Sequence, residues 1–305
     1  MAAHSLPGRS ERPVALVTGC SSGIGLRTVP ALSDRGFHVV ATMRNAGGRT
    51  RPPELEGEHV SVLPLDVRSA GSVRDCVDTV LGTAGRIDVL VNNAGIAPPN
   101  FVEEAPLPEW HEVFETNLFG QVTVTNAVLP AMRHAGRGRV VMVSSLSGRV
   151  PTPLLGVYSA SKSAVESYAE TLRLELRGTG VRVALIEPGA FRTGMWHSPM
   201  LDADFPKTSP YAGDFARLRA FYRDYIDHHL GDPDRVAQTV ARVAAGRGGR
   251  RLRHPVGADA RTQIALRAAL PWAVYERLAR ALVGLGGRAG KRAGKTEPSD
   301  AETVR

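Results

Sequence analysis

Short apolar runs that end in small or turn-forming residues alternate with longer segments of helical spacing from residue 13 to about residue 189. "PVALVTG" (13–19) leads into "GIGLRTVPALSDRG", where Ile24, Leu26, Val29 and Leu32 recur at helical intervals before Gly36. "FHVVATM", "HVSVLPLDV", "IDVLVNNAG", "GRVVMVSS" and "VRVALIEPG" are five further strand candidates. Between them, "AGSVRDCVDTVLGTAG", "LPEWHEVFETNLFGQVTVTNAVLPAMRHAG" and "VYSASKSAVESYAETLRLELRGTG" read as helices, the second as one long helix. Strands that are apolar on every residue must be covered on both faces. The alternation therefore predicts an α/β fold: a Rossmann-like, doubly wound parallel sheet with helices on both faces. Pro30 inside the first helix predicts a kink or an early end there.

The expected body is a single domain over residues 13–285, after a flexible N-terminus at 1–12. A substrate lid covers about 191–231, a C-terminal helical extension is interrupted by Pro271, and a disordered basic and polar tail occupies 286–305. "RLRHPVG" is a candidate last strand. The charge is uneven: residues 240–305 carry 14 Lys/Arg against 5 Asp/Glu, whereas residues 1–239 carry 24 against 25. The basic tail has neither stacking aromatics nor a known module, so nucleic-acid binding is not expected. No run is long and apolar enough to span a membrane, and the first residues show no signal-peptide core. Cys20 and Cys76 make no disulfide framework, and a cytoplasmic location is expected. The 9 histidines show no ligand spacing, so no metal is expected.

"VTGCSSGIG" joins the first strand to the first helix. Glycines there turn the chain sharply and bring N–H groups against a pyrophosphate at a helix N-terminus. Gly19, Ser21, Ser22, Gly23, Ile24 and Gly25 are the loop candidates. At the end of the second strand, a carboxylate would select a free ribose 2′-OH, whereas arginine accommodates a 2′-phosphate. Met43 stands at that position and Arg44 follows, favouring NADPH/NADP+ over NADH; Arg49 and Arg51 could add to the phosphate field.

Tyr158 and Lys162 stand four residues apart, one turn of helix. By itself this is either an ordinary surface pair or a phenol tuned by a neighbouring ammonium. Taken with "TGCSSGIG", "LDV" (65–67), "NNAG" (92–95), "TNLFG" around Asn117, "VSS" at Ser145, "YSASK" (158–162) and "PGAFRT" (188–193), the chain resembles the short-chain dehydrogenase/reductase family. The motifs run in the family's order over residues 13 to about 195. "TGCSSGIGL", "VATMRN" and "LRHPVGADAR" are most similar to the 17β-hydroxysteroid-dehydrogenase-like and retinol-dehydrogenase-like branches.

The resemblance implies a catalytic tetrad of Asn117, Ser145, Tyr158 and Lys162. It places Asp66 and Val67 at the adenine, and Asn93, Ala94 and Gly95 at the ribose. Pro188, Gly189 and Thr193 fall at the nicotinamide, and Lys162 at its ribose. Ser22 departs from the basic residue that many NADPH-preferring members carry there. The expected chemistry is hydride transfer with Tyr158 as general acid or base, its pKa lowered by Lys162. Ser145 orients the substrate oxygen. In the family, the asparagine kinks its helix and holds a water on the proton path to the lysine. A homodimer or homotetramer is implied.

Residues 191–231 hold 8 of the chain's 17 aromatics: Phe191, Trp196, Phe205, Tyr211, Phe215, Phe221, Tyr222 and Tyr225, with Met195 and Met200 beside them. A lid of that composition, with Phe101, Leu146, Val150, Pro153 and Leu155 added to the wall, suits a bulky hydrophobic ketone or secondary alcohol. The opposing expectation is that Phe221, Tyr222 and Tyr225 only pack the lid onto the body. Two other readings stand beside this one: an NADPH-binding regulatory module without turnover, and peripheral membrane contact through the basic 261–283 segment.

Overall fold

The computed structural model describes residues 10–47, 52–194, 205–248 and 250–285. The expectations for Arg49, Arg51, Met195, Trp196, Met200 and the tail at 286–305 lie outside the described residues.

Seven strands form one parallel sheet: β1 (Val14–Val17), β2 (His38–Met43), β3 (Val60–Pro64), β4 (Val89–Asn92), β5 (Gly138–Val143), β6 (Val181–Pro188) and β7 (Arg253–Val256). Their spatial order is β3-β2-β1-β4-β5-β6-β7. Leu16 of β1 pairs with Val40 on one side and Leu90 on the other. The order reverses between β1 and β4. Chains leaving these two strands diverge to opposite sides and open a crevice at the C-terminal edge.

Successive side chains of a strand point to opposite faces. Val14 and Leu16 enter one core with Val77, Val128, Met132, Val165 and Leu172, which come from α2 (Ala70–Ala84), α4 (Gly120–His134) and α5 (Gly156–Glu175). Ala15 and Val17 enter the other core, closed by Val29 and Leu32 of α1 (Gly23–Ser33) and Val236 and Val240 of α7 (Asp234–Ala244). Helix α1 runs through Pro30 to Ser33, because the proline stands in its last turn.

The long helix expected from residue 107 is divided. Helix α3 (Leu107–Phe114) widens into a π-turn at Glu115–Phe119 before α4 begins. The lid contributes α6 (Ala212–His229), and Pro271 separates α8 (Ala258–Ala269) from α9 (Trp272–Leu282) as expected. Trp272, Val274, Leu278 and Leu282 of α9 are exposed. Among the described residues no helix is long and apolar enough to cross a membrane.

Candidate active site

A cleft of about 780 Å³ opens at the switch point. Gly19, Ser21, Ser22, Gly23 and Ile24 line it from the β1–α1 turn, Arg44 from the end of β2, and Asp66 and Val67 from the end of β3. Asn93, Ala94 and Gly95 follow β4, Ser144 and Ser145 follow β5, and Pro188, Gly189 and Thr193 close the far end. Tyr158 and Lys162 project from the first turns of α5. All but two of the sequence candidates thus meet at one cavity; the exceptions are Gly25 and Asn117.

Gly25 is a packing residue. A Cβ there would lie 2.2 Å from the Gly19 carbonyl oxygen and 2.4 Å from Asn93 Nδ2, so only glycine lets α1 start this close to the turn. Gly19 has φ +72°, and a Cβ on it would stand 2.9 Å from Ala94 Cα. The turn is held from β4: Asn93 Nδ2 donates to the carbonyls of Thr18 (3.0 Å) and Gly19 (3.1 Å). Thr18 Oγ1 in return accepts from the N–H groups of Asn93 and Ala94.

Asn117 is fully buried inside the π-turn. Its Oδ1 accepts from Ile96 N–H, while Nδ2 donates to the Ile96 carbonyl and to Ser161 Oγ. The widened turn brings the amide to the loop after β4, where it stands just behind Gly95; a Cβ on Gly95 would lie 3.2 Å from Asn117 Oδ1 and 3.6 Å from Lys162 Nζ.

Lys162 is 3% exposed; its ammonium donates to the Val143 carbonyl at 2.8 Å and lies 5.7 Å from the centre of the Tyr158 ring. Burial pulls the lysine down to about 8, with Glu166 opposing. Burial also raises the Tyr158 phenol, and a hydrogen bond with Ser145 draws it part-way back. Against the expectation that Lys162 lowers the phenol, burial is the largest influence here and the group that opposes it is Ser145.

At the outer end Arg68, which the motif reading missed, binds Asp66 through Nε (3.3 Å), Nη2 (3.2 Å) and its own N–H (3.0 Å). That hydrogen bonding holds Asp66 below the usual carboxylate range. Arg44 is exposed and forms no ion pair among the described residues. Asp259 was also missed. Its carboxylate accepts from Ala190 N–H at 2.8 Å and fixes the turn after Pro188 from α8, 69 residues away. Gly231 clasps the same turn, donating to Ala190 and accepting from Arg192.

The lid aromatics sit elsewhere than expected. Phe215, Leu218 and Tyr222 pack against Leu154, Leu155 and Tyr158, Tyr222 donates to the Pro153 carbonyl, and Phe101 stacks on Tyr211. They fasten the lid to the body. Of the lid only Phe191, Thr193 and Gly194 reach the cleft among the described residues, and of the five added wall residues only Leu155 does. Leu146 and Val150 pack beneath Ala260, Ile264 and Tyr275. The apolar wall is made instead by Ile96, Ala97, Pro98, Pro99, Leu155 and Phe191. No cluster of metal-ligating side chains occurs among the described residues.

The family model for short chain dehydrogenases matches residues 13–203, which take in the sheet from β1 through β6 and every candidate above. The chain belongs to the short-chain dehydrogenase family. This short-chain dehydrogenase is 34% identical over 277 residues to an uncharacterized oxidoreductase, YusZ, of Bacillus subtilis, covering 87% of the chain and 96% of the relative. It is 39% identical over 204 residues to a 3-ketodihydrosphingosine reductase of Bacteroides thetaiotaomicron (67% and 73% covered). Retinol dehydrogenase 8 of Bos taurus is 35% identical over 246 residues (75% and 76%). Among solved structures, a short-chain dehydrogenase from Streptomyces avermitilis superposes with TM-score 0.71 at 31% identity (89% and 98% covered). A 3-ketoacyl-(acyl-carrier-protein) reductase from Brucella melitensis, complexed with NADH, gives 0.67 at 25% (83% and 98%). An alcohol dehydrogenase from Thermococcus sibiricus, complexed with 5-hydroxy-NADP, gives 0.63 at 25% (81% and 96%).

Proposed function

We propose that this short-chain dehydrogenase uses NADP(H) to reduce a ketone, or to oxidise the matching secondary alcohol, on a bulky hydrophobic skeleton such as a steroid, retinoid, polyketide or fatty chain. The observation that carries the reading is the convergence of Ser145, Tyr158 and Lys162 on the cleft that also receives the glycine turn. The cradle at Gly19, which a Cβ would fill, supports a dinucleotide there. Gly19, Ser21, Ser22, Gly23 and Ile24 would hold the pyrophosphate, with Gly25 admitting the helix N-terminus behind them. Asp66 and Val67 would meet the adenine, Asn93, Ala94 and Gly95 the ribose, and Pro188, Gly189 and Thr193 the nicotinamide side. Arg44, exposed and in no ion pair among the described residues, with Met43 in place of a carboxylate, supports the 2′-phosphate and hence NADP(H) over NAD(H).

When bound, the nicotinamide supplies or accepts the hydride. Ser145 Oγ donates to the substrate oxygen and orients it. Tyr158 gives that oxygen its proton, and burial keeps the phenol protonated, the form that reduction requires. Lys162 sets the charge beside the phenol, and Asn117 holds the loop that carries Gly95 against the lysine. The apolar wall of Pro98, Pro99, Leu155 and Phe191 supports a hydrophobic substrate. So do the names of two relatives, which specify retinol and ketodihydrosphingosine. A cytoplasmic homodimer or homotetramer completes the proposal, with Phe119 and Leu174 as exposed apolar side chains for an interface.

The test gives purified protein NADPH, and separately NADH, with a panel of steroid, retinoid, polyketide-like and fatty ketones, and follows nucleotide absorbance. Consumption that Tyr158→Phe abolishes is expected. No consumption across the panel, or an undiminished rate in Tyr158→Phe, overturns the reading.

A further inference from the structure

Behind the Tyr158–Lys162 pair lies a buried ionic cluster that the reaction above does not use. Helix α5 presents every fourth residue on one face, so Tyr158, Lys162, Glu166 and Glu170 form a ladder. The first two line the cleft; Glu166 is 4% exposed, and Glu170 emerges at the surface. Arg253 on β7, the outermost strand, joins the ladder: its Nη1 donates to Glu166 Oε2 and to Glu187 Oε1 (2.6 Å), and its Nη2 to Glu170 (2.6 Å). Arg149 approaches Glu187 at 3.4 Å. Ser144 Oγ and Glu166 both flank Gly148, and hydrogen bonding with Ser144 opposes the rise that burial imposes on the Glu166 carboxyl.

Buried ion clusters are weak stabilisers compared with apolar packing of equal volume. This one stands a single turn behind a lysine that lines the cleft. We infer that Glu166 is a positioning residue for Lys162: its carboxylate, anchored by Arg253, keeps the buried ammonium in its charged form. The inference rests on the reading of Lys162 as an active-site residue. Lys162 is faced by Tyr158 and Glu166 from its own helix, by the neutral Asn117 and Gly95 from across the cleft floor, and by the Val143 carbonyl from β5. Glu166 is thus the acidic group beside it, and it opposes the burial that draws the lysine down to about 8. The groups facing Glu166 are Lys162 and Glu170 on α5, Ser144 after β5, Glu187 on β6 and Arg253 on β7. Burial raises the Glu166 carboxyl and Glu187 adds to that, while hydrogen bonding with Ser144 and then the Arg253 charge oppose it.

The experiment reads the lysine directly. Trace labelling with acetic anhydride across a pH series, quantified peptide by peptide by mass spectrometry, gives the midpoint at which Lys162 becomes nucleophilic; the exposed Lys207 is the internal reference. Glu166→Gln is expected to lower that midpoint by about one pH unit, since a carboxylate one turn away is lost from a poorly solvated site. Glu187→Gln, one residue farther along the cluster, shifts it much less. An unchanged midpoint in folded Glu166→Gln, or an equal shift in Glu187→Gln, overturns the inference. Should Glu166→Gln not fold, the double variant Glu166→Met/Arg253→Met removes the pair and leaves Glu187 on Arg149 and Glu170 at the surface. The midpoint falls there too because the nearer charge dominates, and an unchanged value overturns the inference. A labelling shift in Glu166→Gln, with a wild type that consumes no cofactor, separates failure of the catalytic reading from failure of this one.

Discussion

Asn117 and Ile96 are joined by two hydrogen bonds: Oδ1 accepts from the Ile96 N–H at 2.8 Å, and Nδ2 donates to the Ile96 carbonyl at 2.9 Å. A side chain within a helix thus clamps a loop that carries the cleft wall. Asn117→Ala strands both backbone groups of Ile96, at a cost of about 2–4 kcal/mol; Ser161 Oγ keeps its bond to the Tyr158 carbonyl. The melting temperature should fall by several degrees. Asn117→Asp keeps the acceptor for the Ile96 N–H and should lose less. Thermal unfolding of the two variants checks the order, and equal losses would refute the clamp.

The sheet was legible because its strands are apolar on both faces: β1 alternates Val14 and Leu16 into one core with Ala15 and Val17 into the other. The glycine turn was legible because it must sit between a strand and a helix. Asp259 was hidden because its contact with Ala190 spans 69 residues, and no local pattern records which loop returns to which. The lid aromatics misled for another reason. Composition shows that Phe215 and Tyr222 are apolar, while only the packing of α6 on Leu154 and Leu155 decides that they face the body rather than the cleft. The helical pattern alone runs unbroken through Asn117, and only the family resemblance implied a kink there; the side-chain bonds at the π-turn go to Ile96, outside the helix.

The pH dependence follows from Lys162. Its buried ammonium loses its proton near pH 8, so the lysine is charged below that value and neutral above it. Burial raises Tyr158, which therefore remains protonated through the same window. Reduction should weaken as pH rises through about 8. Lys162→Arg retains a charge at every accessible pH, because guanidinium does not titrate there. Its rate should be lower, because the bulkier guanidinium does not fit the site of an ammonium, but its alkaline limb should vanish from the kcat profile.

Arg44→Asp replaces an exposed guanidinium by a carboxylate just after β2. A lost charge-assisted hydrogen bond costs about 1.5–3 kcal/mol, or roughly 10- to 150-fold in affinity. NADPH binding should weaken by at least that factor, while NADH binding holds or improves. Titration calorimetry with each nucleotide measures both, and equal losses would sink the 2′-phosphate assignment.

Cys20 lies inside the glycine turn, yet its thiol is fully buried and donates to the Val17 carbonyl. Burial pushes it up to about 12, so almost no thiolate exists at neutral pH. N-ethylmaleimide should leave native protein unmodified at Cys20 by mass spectrometry and label it only after unfolding.

Gly189 and Asp259 should behave as one unit. A Cβ on Gly189 would stand 2.1 Å from Asp259 Oδ2, the oxygen that accepts from Ala190 N–H. Gly189→Ala must push the carboxylate off that N–H, and Asp259→Ala removes it outright. Each single variant should therefore weaken cofactor binding through the same displaced turn, by about tenfold for one lost buried hydrogen bond. Once Asp259 is gone, the added methyl meets little, so the double variant should bind no worse than Asp259→Ala. A double-mutant cycle on nucleotide affinity should return a coupling of about 1 kcal/mol or more. Strict additivity would show that Gly189 and Asp259 act on cofactor binding independently.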